Sequence, residues 1–197
     1  FHEAADIEQF KPLRRAREID LLWIGNWGDE ERTRELQEFL IAPARAMGNC
    51  RVVVHGVRYP KDALEQLGQA GIEYRGYLPN LFSPEVYASS AVSVHIPRRQ
   101  YANGLSGIPT IRVFEALACG IPLLCAPWTD TENLFRPGED YLCVPDGRAM
   151  VAEIRRFVSD SAARSQMAAS GLQTILARHT CAHRARQFLD ICEELGK

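Results

Sequence analysis

Short apolar runs alternate with amphipathic stretches along the chain, and this alternation predicts the secondary structure. Between residues 29 and 47, Leu36, Phe39, Leu40 and Ala44 recur at helical spacing, which predicts an amphipathic helix. Apolar runs separated by helices are typical of βαβ units and a parallel sheet. Six strands are predicted, over residues 20–25, 51–56, 72–74, 91–96, 122–125 and 141–144.

The clearest helix boundaries in the sequence surround residues 110–119. Pro109 suits the first turn of a helix, Gly120 suits its end, and Pro122 follows just beyond, as is typical of helix punctuation. Further helices are predicted over 61–69, over 83–88, and from residue 148 onward with breaks near Asp160 and at His179.

These elements predict an α/β fold, a Rossmann-like, doubly wound parallel sheet of six strands with helices at its C-terminal end. Such a sheet has a topological switch between its first and fourth strands, where ligands bind at the carboxyl ends of the strands. The turn Gly25-Asn26-Trp27-Gly28 follows the first strand, and the long loop over 97–108 follows the fourth. Loops of that length are usually functional or mobile, so we expect a ligand-binding crevice where the two segments meet.

Composition and charge exclude several classes of protein. The 23 basic and 25 acidic residues give a net charge of −2, so neither a nucleic acid nor an anionic membrane is an expected partner. No apolar run is long enough for a membrane span. The charged first residues do not resemble a signal peptide, and the six cysteines contain no C-x-x-C spacing, so we expect reduced thiols and a cytoplasmic location. The chain starts at Phe1, and we treat it as a possible fragment.

The sequence does not fit three familiar kinds of site that bind or accept a phosphate group. A nicotinamide site needs G-x-G-x-x-G after the first strand and an acidic residue after the second, whereas strand two ends His55-Gly56-Val57. A P-loop needs G-K-[S/T], which the chain lacks. A receiver domain needs a carboxylate at a strand end, whereas Asp29 and its acidic neighbours are typical of the first turn of a helix.

The helix after Pro109 is the strongest remaining candidate for ligand binding. Its first-turn N–H groups, at Thr110 and Ile111, and its dipole form an anion site suited to a diphosphate. Arg112 lies in the same turn, and Glu115 is surrounded by apolar neighbours. A buried carboxylate needs a partner. Glu115 either pairs with Arg112 at i, i+3 or accepts hydrogen bonds from both hydroxyls of a ribose, and the residues leave both readings open.

Other candidate residues carry weaker signals. His179 and His183 are spaced i, i+4 with Cys181 between them, a spacing compatible with a metal, but we expect these residues to flank the start of the last helix. We expect His55 and His95 to be structural, although His95 could contact a phosphate. Trp27 and Tyr101 either stack on a base or pack within the fold.

Residues 107–122, GIPTIRVFEALACGIP, resemble the donor-binding signature of the GT-B glycosyltransferases, in the R-x-F-E-A-x-A-x-G-x-P form of bacterial spore-maturation-like and family 4-like members. Residues 2–12 are similar to the D-x-x-x-F-x-P segment that leaves the N-terminal domain of such enzymes. Gly76-Tyr77-Leu78-Pro79, residues 134–138 and the closing Arg178-His179-Thr180 with Arg184 follow in the expected order. The resemblance covers essentially the whole chain.

The resemblance implies a glycosyltransferase whose C-terminal half is this chain, with residues 1–19 as the interdomain segment and 20–197 as the domain that binds a nucleotide-diphosphate sugar. The acceptor domain would be an N-terminal partner. By the family pattern, Glu115 holds the ribose, Gly25 and Asn26 approach the phosphates, and basic residues neutralise them without a metal or other cofactor. The candidates for that last role are Arg98, Arg99 and Arg112.

One departure from the family leaves the chemistry open. Retaining members of the best-known subgroup carry E-x-x-x-x-x-x-x-E, whereas Gly107 stands where the first glutamate would be. No catalytic residue is assigned, and neither the donor sugar nor the stereochemistry is predicted. The alternatives are a non-catalytic sugar-nucleotide or phosphate-binding module, and one half of a GT-B sugar-nucleotide epimerase.

Overall fold

The computed structural model describes residues 1–28, 32–103 and 107–196. A single sheet of parallel strands lies at its centre, in the order β3-β2-β1-β4-β5-β6. This order confirms the predicted doubly wound sheet and its switch between the first and fourth strands. The strands are β1 (Ile19–Ile24), β2 (Val52–His55), β3 (Ile72–Tyr74), β4 (Ser90–His95), β5 (Leu123–Cys125) and β6 (Leu142–Cys143).

Helices cover both faces of this sheet. They are α1 (Thr33–Leu36), α2 (Ala42–Met47), α3 (Lys61–Gln69), α4 (Ser83–Ala88), α5 (Arg99–Asn103), α6 (Ile111–Ala118), α7 (Gly147–Ser159), α8 (Ser161–Arg178) and α9 (Cys181–Leu195). None of the helices in the described ranges is long and apolar enough to cross a membrane.

The predicted helix over 29–47 is interrupted. Residues 29–31 lie outside the described ranges, and a π-helical turn over Gln37–Ile41 separates α1 from α2. Pro43 stands at the start of α2 and has no N–H to donate to the carbonyl four residues earlier. Just before Pro43 the backbone forms the π-helical turn, which is wider than an α-helical turn. Such turns occur where the α-helical pattern of hydrogen bonds is broken.

Two other local predictions need correction. The loop predicted over 97–108 contains the short helix α5 at Arg99–Asn103, and residues 104–106 of that loop lie outside the described ranges. Pro109 does not occupy the first turn of α6, because Thr110 is the N-cap and Ile111 is the first helical residue. The predicted breaks near Asp160 and His179 are confirmed, since Asp160 caps α8 with its side chain and His179 ends it.

The core has two layers, one on each face of the sheet, as a parallel sheet requires. Leu21 and Val52 point to the layer formed with α2 and α7, and Leu22 and Val53 point to the layer formed with α6. Residues 113–118 of α6 are all buried. The first turn of α6 is therefore held rigidly against the end of the sheet.

The N-terminal segment lies along the junction of α8 and α9. The Ala5 N–H donates to the His179 carbonyl over 2.9 Å, and the Cys181 N–H donates to the Ala5 carbonyl over 3.1 Å. The predicted interdomain segment ended at residue 19, but Ile19 already belongs to β1. No disulfide joins any of the six cysteines, which all lie in described ranges.

Candidate functional site

A crevice of about 360 Å³ opens at the carboxyl ends of β1 and β4, beside the first turn of α6. It lies at the predicted topological switch, where doubly wound sheets bind ligands. Five of the predicted site residues line it: Gly25, Asn26, Arg98, Thr110 and Arg112. Arg32, Tyr87, His95 and Tyr101 are among the other lining residues. The structure thus brings together segments that are far apart in the sequence.

The Gly25-Asn26 turn forms a tightly packed wall of the crevice. A Cβ on Gly25 would lie 2.7 Å from the Trp23 ring, and a Cβ on Gly56 would lie 1.9 Å from the Gly25 carbonyl oxygen. The Tyr59 hydroxyl donates to the same oxygen over 2.8 Å, and the Asn26 Oδ1 accepts from the Val57 N–H over 3.1 Å. The turn after β1 is therefore fixed against the loop after β2.

Arg32 is a lining residue that the sequence reasoning missed. Its Nη1 donates to the Ile96 carbonyl over 3.0 Å, and its Nη2 donates to the Asn26 carbonyl over 2.8 Å. The guanidinium thus joins the loops that follow β1 and β4 and adds a positive charge to the crevice. In the sequence, Arg32 follows a run of acidic residues, and nothing there separates it from an ordinary surface arginine.

The first turn of α6 faces the crevice without a side-chain cap. Thr110 occupies the N-cap position, but its hydroxyl makes no cap hydrogen bond and instead lies 3.0 Å from the His95 Nε2. Threonine at this position usually accepts from an N–H of the first turn. The Val113 N–H donates to the Thr110 carbonyl over 3.0 Å, and the N–H groups before it, with the helix dipole, are available to an anion.

Arg112, Glu115 and Asn80 form a connected polar cluster behind the crevice wall. The Glu115 carboxylate accepts from the Arg112 Nη1 and, over 3.1 Å, from the Asn80 Nδ2. The Arg112 Nη1 also donates to the Asn80 Oδ1 over 3.1 Å. Burial raises the pKa of Glu115, and the nearby Arg112 opposes that effect. Two roles were predicted for Glu115, and the structure contains the i, i+3 pair with Arg112.

Comparison with known proteins identifies the family. A family model described as "Glycosyl transferase-like" matches residues 32–190, which is most of the chain. The chain belongs to the glycosyl transferase-like family. It is 27% identical over 158 residues to the O-antigen chain mannosyltransferase B of Escherichia coli. This alignment covers 77% of the chain but only 40% of that protein.

Solved structures share the fold. The C-terminal domain of a glycosyl transferase group 1 family protein (LpcC) from Francisella tularensis superposes with a TM-score of 0.68 at 18% identity, covering 90% of this chain and 99% of that one. The Anabaena protein HepE, in complex with UDP and glucose, superposes with a TM-score of 0.73 at 14% identity, covering 96% of this chain and 55% of that one. The fold is that of the C-terminal domain of a GT-B glycosyltransferase.

Three of the residues that the glycosyl transferase-like pattern suggested do not line the crevice. Glu115 is only 2% exposed, behind Arg112. The Ile111 side chain packs against the core. Arg99 pairs with Glu35 at 3.0 Å and lines a neighbouring groove. The roles of these residues toward a ligand stay predictions.

The aromatic candidates behave differently from one another. Trp27 is buried and packs against Tyr59, with ring centroids 5.8 Å apart, so it takes the packing role. Tyr101 lines the crevice, and its stacking on a base stays a prediction. Trp23, which is also buried, is a lining residue that the pattern did not suggest.

The structure gives a physical reason for glycine, rather than the glutamate of the E-x-x-x-x-x-x-x-E pattern, at position 107. Gly107 has a φ of 93° in the structure, a conformation that favours glycine. A Cβ placed there would lie 1.8 Å from the Thr131 Oγ1. The backbone conformation and the space at this position therefore both oppose a glutamate.

The histidines near α9 are engaged by the fold. The His179 Nε2 lies 2.7 Å from the Leu134 carbonyl, and its Nδ1 lies 2.9 Å from the Arg184 Nη2. The His183 Nδ1 lies 2.6 Å from the Thr180 Oγ1, in a capping box at the start of α9. These contacts confirm that the pair flanks the last helix. Within the described ranges, no group of three or more histidine, cysteine or acidic residues is placed to hold a metal.

Proposed function

We propose that the crevice binds a nucleotide-diphosphate sugar and that the chain is the donor-binding half of a glycosyltransferase. The observation that carries this proposal is the meeting of one uncapped helix N-terminus with Arg32, Arg98 and Arg112 in a single crevice. Such a site is electrostatically suited to a diphosphate. The UDP and glucose bound to the structurally similar HepE support the same assignment.

Two parts of the donor, the diphosphate and the ribose, have complementary groups in or next to the crevice. The diphosphate lies against the N–H groups at Thr110 and Ile111 and along the Gly25-Asn26 turn. The arginines that line the crevice neutralise its charge, so the leaving diphosphate is stabilised by the helix dipole and cationic side chains without a required metal. The ribose lies beside Arg112, and Glu115, which Arg112 covers in the structure, accepts its hydroxyls once the Arg112 side chain moves aside. Arg99, which is paired with Glu35, is the weakest member of the predicted set.

The acceptor site and the catalytic base belong, in this proposal, to an N-terminal domain. The chain spans 40% of the mannosyltransferase it matches and 55% of HepE, which leaves room in those proteins for a second domain. We assign no catalytic residue in this chain. We further propose a cytoplasmic location, supported by the unbridged cysteines.

The isolated chain is expected to transfer no sugar to an acceptor, because half of the catalytic site would be missing. Incubation of the purified chain with labelled UDP-glucose or GDP-mannose and candidate acceptors should yield only slow hydrolysis of the donor. In the control reaction, the isolated chain is replaced by the same chain joined to an upstream acceptor domain. Saturable transfer by the isolated chain would contradict its assignment as half an enzyme.

A non-catalytic sugar-nucleotide-binding module is the second candidate function. Its support is Gly107, whose φ of 93° and closeness to Thr131 oppose the acidic side chain that the E-x-x-x-x-x-x-x-E pattern places at this position. The chain joined to an upstream acceptor domain separates the two candidates. Transfer by that longer protein supports the enzyme, whereas donor binding without transfer or hydrolysis supports the module.

A further inference from the structure

Thr110 and His95 form an isolated polar contact at the anion-binding end of the crevice. The Thr110 Oγ1 lies 3.0 Å from the His95 Nε2, and both residues line the crevice. His95 is only 6% exposed, and its second ring nitrogen, Nδ1, is buried without a hydrogen-bond partner. Thr110 is half-buried, so its hydroxyl can still reach a ligand.

The unpartnered Nδ1 decides which ring nitrogen carries the proton. A neutral imidazole has one N–H donor and one lone-pair acceptor. Buried N–H groups without an acceptor are rarer in proteins than acceptors with unused lone pairs. The proton therefore belongs on Nε2, where the Thr110 oxygen accepts it, and the lone pair belongs on the unpartnered Nδ1.

The ring also stays neutral throughout the ordinary pH range. Burial lowers the pKa of His95 to about 3, and the nearby Arg32 guanidinium acts in the same direction. The hydrogen-bond partner Thr110 and the ring neighbour Trp128 carry no charge. In the hydrogen bond between them, the His95 Nε2 therefore stays the donor and the Thr110 Oγ1 the acceptor from mildly acidic to alkaline pH.

We propose that His95 is a positioning residue that donates from Nε2 to the Thr110 Oγ1 and so directs the Thr110 hydroxyl proton toward an anionic oxygen at the first turn of α6. A hydroxyl that accepts from Nε2 has its own proton left to donate. In this position the Thr110 oxygen makes no cap hydrogen bond to α6, which leaves the N–H groups before Val113 to the ligand. This inference rests on the proposed function, because the anion is the diphosphate of the donor.

The proton position can be tested without a ligand. Nitrogen-15 NMR of the histidine rings, with His95 assigned by its loss in His95→Phe, should show a protonated Nε2 and an unprotonated Nδ1. The pattern should not change between about pH 5 and pH 8. A protonated Nδ1 would overturn the assignment, whether or not a nucleotide binds.

Calorimetry with UDP and with uridine tests the positioning role. His95→Phe and Thr110→Val should each lower the affinity for UDP by about tenfold, the scale of one hydrogen bond to a charged group. Affinity for uridine, which lacks the diphosphate, should be unchanged. The double variant should bind UDP no more weakly than Thr110→Val alone, because His95 acts through Thr110.

His55→Phe is the matched control, since His55 is as buried as His95 and does not line the crevice. It should bind UDP like the parent chain. Additive losses in the double variant, or an equal loss for uridine, would overturn the role of His95 while leaving the proposed function intact. If the parent chain binds neither UDP nor GDP, both the proposed function and the positioning role are wrong.

Discussion

Glu115→Gln is expected to lower the affinity of the chain for UDP or GDP by about tenfold or more. The substitution replaces an anionic acceptor of two ribose hydroxyls with a neutral amide of nearly the same shape. Charge-assisted hydrogen bonds contribute roughly 1.5–3 kcal/mol each, and about 1.4 kcal/mol is a tenfold change in affinity. Titration calorimetry on the parent and the variant measures this difference.

Glu115→Gln should also change how the stability of the chain depends on pH. Burial raises the pKa of Glu115, so the folded state favours the neutral form of this side chain more than the unfolded state does. A glutamine resembles that neutral form. As pH rises through the folded-state pKa of Glu115, the parent should therefore lose stability relative to the variant. Melting curves from about pH 4 to pH 7 show whether it does.

Glu139→Gln is the matched control for Glu115→Gln. Glu139 also pairs with an arginine at i, i+3, since it lies 2.8 Å from Arg136, but it is exposed and lies outside the crevice. It should change neither UDP affinity nor stability appreciably, because surface pairs contribute at most about 1 kcal/mol. A Glu115→Gln variant that binds UDP like its parent would remove Glu115 from the proposed site.

Gly56→Ala is expected to cost the protein several kcal/mol of unfolding free energy, on the order of 3 kcal/mol, the scale of a severe overpacking substitution. The added Cβ would lie 1.9 Å from the Gly25 carbonyl oxygen, and a backbone atom cannot rotate away as a side chain can. The displaced Gly25-Asn26 turn would also move a wall of the crevice. Denaturant unfolding and UDP titration should therefore both show a loss.

Gly68→Ala is the matched control for that substitution. Gly68 lies in α3, and nothing stands within 4 Å of a Cβ added there. Alanine in a helix is more favourable than glycine by up to about 1 kcal/mol, so this variant should be at least as stable as the parent and should bind UDP normally. Equal stability of the Gly56 and Gly68 variants would contradict the packing described for the Gly25-Asn26 turn.

The fold could be predicted from the sequence because local patterns and the fold agree closely. The strand predicted over 72–74 has the observed bounds, and the predicted first and fourth strands are each displaced by one residue. Apolar runs determine such strands, and Gly120 with Pro122 marks the end of α6 without any tertiary information. Once the parallel sheet is assumed, its switch point follows from general topology.

The parts that sequence could not predict depend on contacts between distant residues. Asn80 contacts both Arg112 and Glu115 from a short 3₁₀ helix, Asn80–Phe82, that precedes α4, and no spacing rule links these positions. Arg32 joins two carbonyl groups that are 70 residues apart in the chain, at Asn26 and Ile96. Arg99 looked equivalent to Arg98 in the sequence, but the turn of α5 directs it to Glu35.

A crystal structure of the chain with UDP tests the central claim most directly. We expect the diphosphate to lie at the first turn of α6, within hydrogen-bonding distance of the Thr110 hydroxyl and the Ile111 N–H, with the ribose hydroxyls at Glu115. UDP bound instead in the neighbouring groove lined by Pro97, Pro127 and Pro145, or bound with its diphosphate away from α6, would contradict it.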